Sequence, residues 1–271
     1  MRPFVAVLLS LALIGHSAGA QRADSTSGNK TFLVRRDLLW TGLALGGTAI
    51  VSHFDPDIAR ASQKSRYQGS SLHRFALNVS KVNETSLTIA GVAVYGIARL
   101  AHAPTVTDIA LHATESVVLA SLASQLIRGP LGRTRPFVTR DSDQYDFHPG
   151  KGFFGDTSFN YRAFPSIHTS SSMAVATVLA METHRRHPEA TKFVAPILFA
   201  AALLPGLARI QLDQHWASDI AAGAFMGVFS GYKVVSYSHA HPNNRFDRLL
   251  LSASVMPDPH GRMAIAFSPT F

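Results

Sequence analysis

The apolar positions of this chain gather into long runs broken by short polar stretches, and none of the long runs alternates as a strand does. Helix-length segments dominated by leucine and small residues lie at Asp37–His53, Ser86–Ala101, Thr107–Ile127, Thr169–Glu182, Thr191–Ala208 and Trp216–Tyr237. Asp55-Pro56 and Pro104 read as helix boundaries, because proline lacks an N–H and disfavours helix in the residue before it. Residues 54–85 are mixed, with room for one short amphipathic helix at Ser71–Val82. Residues 137–163 form a long connection rich in Gly, Asp and aromatics, a length that in a compact domain points to a lid or substrate wall, with a packed surface loop as the alternative. The period changes near the end. Leu249, Leu251, Ala253 and Val255 alternate, 257–261 is turn chemistry, and Met263, Ile265, Phe267 and Phe271 alternate again. The pattern predicts an all-α helical bundle over 37–240, its active site between helices, followed by a C-terminal extension, 241–271, with a β-hairpin.

The start adds a compartment. Met1-Arg2-Pro3, the apolar run Phe4–Ile14 and Ala18-Gly19-Ala20 read as a signal peptide over 1–20, with cleavage after Ala20 and a flexible polar leader over 21–36. An uncleaved anchor is the alternative. The expected location is therefore exported and periplasmic. The chain has no cysteine, so no disulfide contributes to the fold. The net charge is +8. No basic-aromatic alternation or nucleic-acid motif accompanies it, so nucleic acid is not an expected partner. A site lined with arginine accounts for part of the charge.

Three polar clusters carry the chemistry. The first is Arg128-Gly-Pro-Leu-Gly-Arg-Thr-Arg135-Pro136, the second Phe164-Pro165-Ser166-Ile167-His168, and the third Arg209, His215 and Asp219. Arginine offers a planar fork of donors that matches phosphate oxygens in pairs. Histidine can attack phosphorus or carry a proton near neutral pH. His215 and Asp219 are four apart, so on a helix the carboxylate can orient the imidazole.

Together these clusters resemble the three signature motifs of the type 2 phosphatidic acid phosphatase superfamily, which includes class A acid phosphatases and vanadium haloperoxidases. The motif core spans 105–236. The resemblance implies that His215 is the nucleophile of a phosphohistidine intermediate and that Asp219 holds its other ring nitrogen. It implies that His168 is the leaving-group acid. Arg128, Arg135 and Arg209 would bind phosphate, with Ser166 and the N–H of Ile167 as further donors. Three positions depart from the family pattern: Arg128 replaces a lysine, Ile167 a glycine and Ala208 a serine. Isoleucine keeps the N–H but excludes positive φ and crowds the pocket.

The implied activity is hydrolysis of a phosphomonoester or a lipid (pyro)phosphate. Two alternatives stand beside it, a vanadate-dependent haloperoxidase and a non-catalytic phosphate-binding or scaffold protein. No cofactor and no metal are expected, vanadate entering only under the haloperoxidase reading. Asp141, Asp143 and Asp146 lack a liganding-loop pattern and read as solvated, and His148 and Lys151 as surface residues of the long loop. The expected partners are a phosphorylated small molecule or lipid phosphate and a membrane surface. Nothing sets an oligomeric state.

Charge-free runs such as Thr169–Met181 fall short of the roughly 20 residues a span needs, and His112 and Glu115 interrupt the third apolar segment. Six spans after a cleaved signal would also carry the first motif to the cytoplasmic side. These points favour a soluble or peripherally attached body. The very apolar Leu38–Phe54 and Phe193–Ala208, with Arg35-Arg36 and Arg185-Arg186 as flanks, support the alternative of an integral membrane protein with a periplasmic-facing site.

Overall fold

The structure is a computed structural model that describes residues 31–241, 244, 253–257 and 263–267. The expected signal peptide, residues 21–30 of the leader and most of the C-terminal extension lie outside the described residues. The helices are α1 (Arg35–Ser52), α2 (Asp55–Ser62), α3 (Ser70–Val79), α4 (Glu84–Leu100), α5 (Pro104–Leu131), α6 (Ile167–Arg186), α7 (Pro188–Gln211) and α8 (Ala217–Ala240). One-turn helices at Pro136–Thr139 and Ser158–Tyr161 interrupt the long connection. Two strands, β1 (Ala253–Pro257) and β2 (Met263–Phe267), pair antiparallel with Val255 opposite Ile265.

Local chemistry sets the helix ends. Pro104 and Pro188 open α5 and α7, where a missing N–H is harmless. α5 stops at Gly132, whose φ of +63° is the left-handed conformation of a helix exit. Asn83 caps α4 by accepting the Ser86 N–H at 3.0 Å. α1 begins at Arg35, before the expected Asp37, because the Asp37 carboxylate accepts the Val34 N–H at 2.8 Å. The mixed stretch 54–85 holds two helices rather than one. Asp55-Pro56, read from sequence as a break, is the first turn of α2, where proline fits.

Helices α5, α7 and α8 pack around α6. The α6–α8 contact is close because α8 presents glycine every fourth residue. A Cβ at Gly223 would lie 2.4 Å from the Ser166 carbonyl oxygen, and one at Gly227 2.3 Å from that of Ser170. Any side chain there would push the two helices apart.

The polarity of this bundle is inverted. Its centre contains Ser116, Ser124, Ser170, Ser171, Ser172 and Thr177, all buried. Ser124 and Ser170 meet hydroxyl to hydroxyl at 3.0 Å, and Ser172 donates to the Ala202 carbonyl across to α7 at 2.6 Å. Large apolar side chains point outward instead: Leu38 and Leu126 are each 75% exposed, with Leu43, Ile89, Ile97 and Ile197 alike. Such a surface is far beyond the scattered apolar residues of a soluble protein. Helices α5 and α7 are long and apolar enough to cross a membrane. His112, which breaks the apolar run of α5, is buried, so it faces protein rather than the outer surface. Reading uninterrupted runs along the sequence misses this, because it counts inward-facing polar residues against a helix whose outer face is apolar.

Candidate active site

Four chain ends converge at one end of the bundle: the last turn of α5, the first turn of α6, the last turn of α7 and the 212–216 turn leading into α8. They bring together Arg128, His168, Arg209, His215 and Asp219, and Arg135 joins from the segment after α5. His215 is 1% exposed and Asp219 fully buried. His215 Nδ1 lies 3.2 Å from Asp219 Oδ2. With Nδ1–H donating to that carboxylate, Nε2 keeps its lone pair. It points toward Arg135, whose Nη1 is 3.5 Å away. Burial, then the charges of Arg135, Arg209 and Arg128, hold the His215 imidazole well below the ordinary histidine range, so it is neutral. The rings of His168 and His215 stand 6.5 Å apart, centroid to centroid, on two sides of the arginine cage.

The arginines are fixed by backbone and amide carbonyl oxygens rather than by carboxylates, which leaves their charge for an anion. Arg135 donates from Nε to the Phe159 carbonyl at 2.7 Å and from Nη1 to the Gln214 carbonyl at 2.6 Å, with its plane 4.0 Å from the Phe159 ring centroid. Arg128 donates to the Arg162 carbonyl, and Arg209 to the Gln214 side-chain oxygen at 3.2 Å. Among the described residues, Nε of Arg128, Nε of Arg209 and Nδ1 of His168 are buried without a partner. Buried donors left open at one place are what an anion would complete.

Ser166 precedes α6. Its N–H donates to the Asp219 carbonyl at 3.0 Å, and its Oγ accepts from Thr169 at 3.1 Å, leaving only its hydroxyl proton to direct inward. Ile167 is the first residue of α6, so its N–H is one of the donors that every helix start leaves open. Its side chain is 2% exposed. Ala208 is buried one residue before Arg209.

Sequence reasoning missed a layer behind Asp219. Arg133 Nη1 lies 2.6 Å from Asp219 Oδ1 and its Nη2 lies 2.8 Å from Asp55 Oδ2. Asp55 also accepts the Ser218 N–H at 2.8 Å and the Ser218 hydroxyl. Burial pushes the Asp55 carboxyl up and Arg133 pulls it back. The one available signal was the extra arginine inside the first motif. Asp55 lies 164 residues from Asp219 in sequence, and nothing local marks it. The long loop holds the other candidates away from the cage. His148 Nε2 pairs with Asp146 at 2.9 Å, and Lys151 sits 5.1 Å from the Tyr161 ring centroid. Asp141 is buried, not solvated, because it faces Asp213 under the loop.

Residues 109–242 match the family model of the PAP2 superfamily. The chain belongs to the PAP2 superfamily. It is 30% identical over 124 residues to the lipid A 1-phosphatase of Rhizobium etli, a match covering 45% of this chain and 48% of that one. It is 33% identical over 69 residues to the lipid A 1-phosphatase of Porphyromonas gingivalis, covering 26% of this chain and 15% of that protein. The chain thus spans about half the length, or less, of these curated relatives. A transmembrane PAP2-type phosphatidylglycerolphosphate phosphatase from Bacillus subtilis is similar in structure, with a TM-score of 0.55 and 21% identity, over 77% of this chain and 96% of that one. That likeness confirms the helical fold. The PAP2 match stops at residue 242, before β1 and β2, and does not extend to the expected hairpin.

Proposed function

We propose that this PAP2 protein is a membrane-bound phosphatase that hydrolyses a lipid phosphate through a phosphohistidine on His215. The observation that carries the reading is the neutral His215, braced at Nδ1 by Asp219 with its Nε2 lone pair turned into a cage of three arginines. In the first step the Nε2 lone pair attacks phosphorus, the P–O bond to the lipid breaks, and His168 gives its proton to the departing oxygen. In the second, His168 takes a proton from water, the water oxygen attacks phosphorus, and the P–N bond breaks to release inorganic phosphate. Arg128, Arg135 and Arg209 stabilise the charge spread over the equatorial oxygens.

The lipid class is supported by the relatives' names and by the apolar outer surface of α1, α4, α5 and α7. That surface favours helices embedded in the bilayer over the soluble or peripheral body expected from sequence, with the site at one membrane face. The test uses the protein purified in detergent. Phosphate release from phosphatidate or undecaprenyl pyrophosphate should exceed that from soluble phosphomonoesters. Acid-labile phosphate should be trapped on the wild type and absent from His215→Ala. More than about a tenth of wild-type turnover in His215→Ala would sink the covalent route. Release from membranes by carbonate, without detergent, would sink the embedded one.

A further inference from the structure

A second cluster of chemistry-bearing side chains lies at the opposite end of the same three helices. Asp108 and His112 are one turn apart on α5, Glu182 is in the last turns of α6, and His239 is in the last turn of α8. Glu182 is 14 residues beyond His168 in one helix, which places it about 21 Å from the active-site end. The phosphatase mechanism uses none of these four residues.

One ligand atom from each of the four lies within 4.8 Å of all the others. His239 Nε2 is 2.6 Å from Glu182 Oε1, and His112 Nδ1 is 4.0 Å from the same oxygen. His112 Nε2 is 3.6 Å from Asp108 Oδ1, and the two imidazoles meet edge to face at 5.4 Å. His112 and Glu182 are each 1% exposed, whereas Asp108 and His239 are half-buried and open the cluster to the end of the bundle.

We infer that Asp108, His112, Glu182 and His239 form a structural site for a divalent first-row transition ion of the zinc type. Two imidazole nitrogens and two carboxylate oxygens make a borderline donor set. Such a set suits zinc rather than calcium or magnesium, which take oxygen ligands. Metal–ligand bonds of about 2.1 Å put tetrahedral donors about 3.4 Å apart, so closing on an ion needs an inward shift of about an ångström by side chains alone. The i, i+4 pair on α5 supplies two ligands from one turn, and Glu182 and His239 supply one each from α6 and α8. The ion would tie together the far ends of the helices whose near ends build the phosphate cage.

The cluster also contains a competing cation. Arg186 pairs with Glu182 and reaches within 4.0 Å of Asp108 Oδ2, and its side chain is 32% exposed. Two carboxylates facing one guanidinium leave a net negative charge when the histidines are neutral, and a dication would reverse its sign. Arg186 is therefore a mouth group that swings outward when metal binds, and it weakens the site while it stays.

The experiment uses full-length protein in detergent, stripped with a chelator, loaded with Zn²⁺ or Co²⁺, desalted and analysed for metal. The site predicts about one ion per chain and a four-coordinate Co²⁺ spectrum in the visible. His239→Ala, which removes one of the two partly exposed ligands, should lower affinity at least about tenfold. His168→Ala and His215→Ala should leave it unchanged. Arg186→Gln removes no ligand and should tighten binding, so it tests the site even if buried-ligand variants fail to fold. Less than about a tenth of an ion per chain, or metal that follows His168 or His215, would overturn the site. So would affinity indifferent to His239→Ala, or unimproved by Arg186→Gln. None of these outcomes bears on the phosphatase reading, whose test reads phosphate release.

Discussion

The guanidinium of Arg133 lies 2.6 Å from the carboxylate of Asp219, on the side opposite His215. Its other arm holds Asp55. Arg133 thus pairs with two buried carboxylates at once and holds one of them toward the nucleophile. Arg133→Ala leaves both uncompensated, which should cost about 3–5 kcal/mol of stability, beyond the loss of activity. Arg133→Lys can satisfy one partner at a time and should fall between the two. The check is thermal unfolding in detergent alongside turnover. A stable but inactive Arg133→Ala would mean that Arg133 acts on phosphate rather than through Asp219.

Ile167 fills a position that glycine holds in the family pattern, and its side chain is 2% exposed. Removing it to glycine should lose burial and add backbone freedom, together about 3 kcal/mol. If the side chain also narrows the cage, vanadate should inhibit Ile167→Gly more strongly than wild type. Thermal unfolding and a vanadate titration separate the effects. Equal inhibition means that the isoleucine is a packing residue only.

Burial, then the charges of Arg209, Arg128 and Arg135, disfavour a second proton on His168, and an anionic phosphate in the cage offsets the arginines' share. His168→Ala should cost most with alkyl phosphates, whose leaving oxygen needs a proton, and much less with para-nitrophenyl phosphate. The quantity to compare is the ratio of the two rate losses. Equal losses would assign His168 to phosphate binding. His215 is held neutral by burial and by the same arginines. The acid limb of kcat/KM should therefore not sit at the ordinary histidine value, as it would if the free nucleophile had to lose a proton there.

The helices, the three motif clusters and the pairing of His215 with Asp219 were legible because each rests on short-range pattern: apolar runs, i, i+4 spacing, proline punctuation. What escaped was long-range or directional. Asp55 meets Arg133 only through the fold, and as an Asp-Pro pair it looked like punctuation. The metal-type cluster draws ligands from three helices over positions 108 to 239, and its one local trace is the i, i+4 pair Asp108 and His112. The apolar surface escaped because a run counted along the chain does not say which way each side chain points. α5 carries His112 inward and Leu122 and Leu126 outward, and only the packing reveals that inversion.

Asp213 and Asp141 form a carboxyl pair beside the site, and both adopt left-handed φ, 59° and 58°. Asp213 immediately precedes Gln214 and His215, and its carbonyl accepts the Phe137 N–H at 3.3 Å, tying the turn to the long loop. Burial, then the hydrogen bond and charge of Asp141, push the Asp213 carboxyl from 3.8 up to about 7. The proton is therefore bound more tightly in the folded state than in the unfolded one. The stability it contributes is fully present below about pH 4 and is lost as pH rises toward 7. Asp213→Asn should remove that dependence. Asparagine tolerates the left-handed backbone, and its amide donates to Asp141 whatever the pH. The variant should gain thermal stability over wild type as pH rises from 4 to 7, with a constant difference above that. Unfolding temperatures measured across that range decide it. A gap that stays flat with pH would mean that the two carboxyls do not share a proton, and that the turn carrying His215 is fixed by its backbone alone.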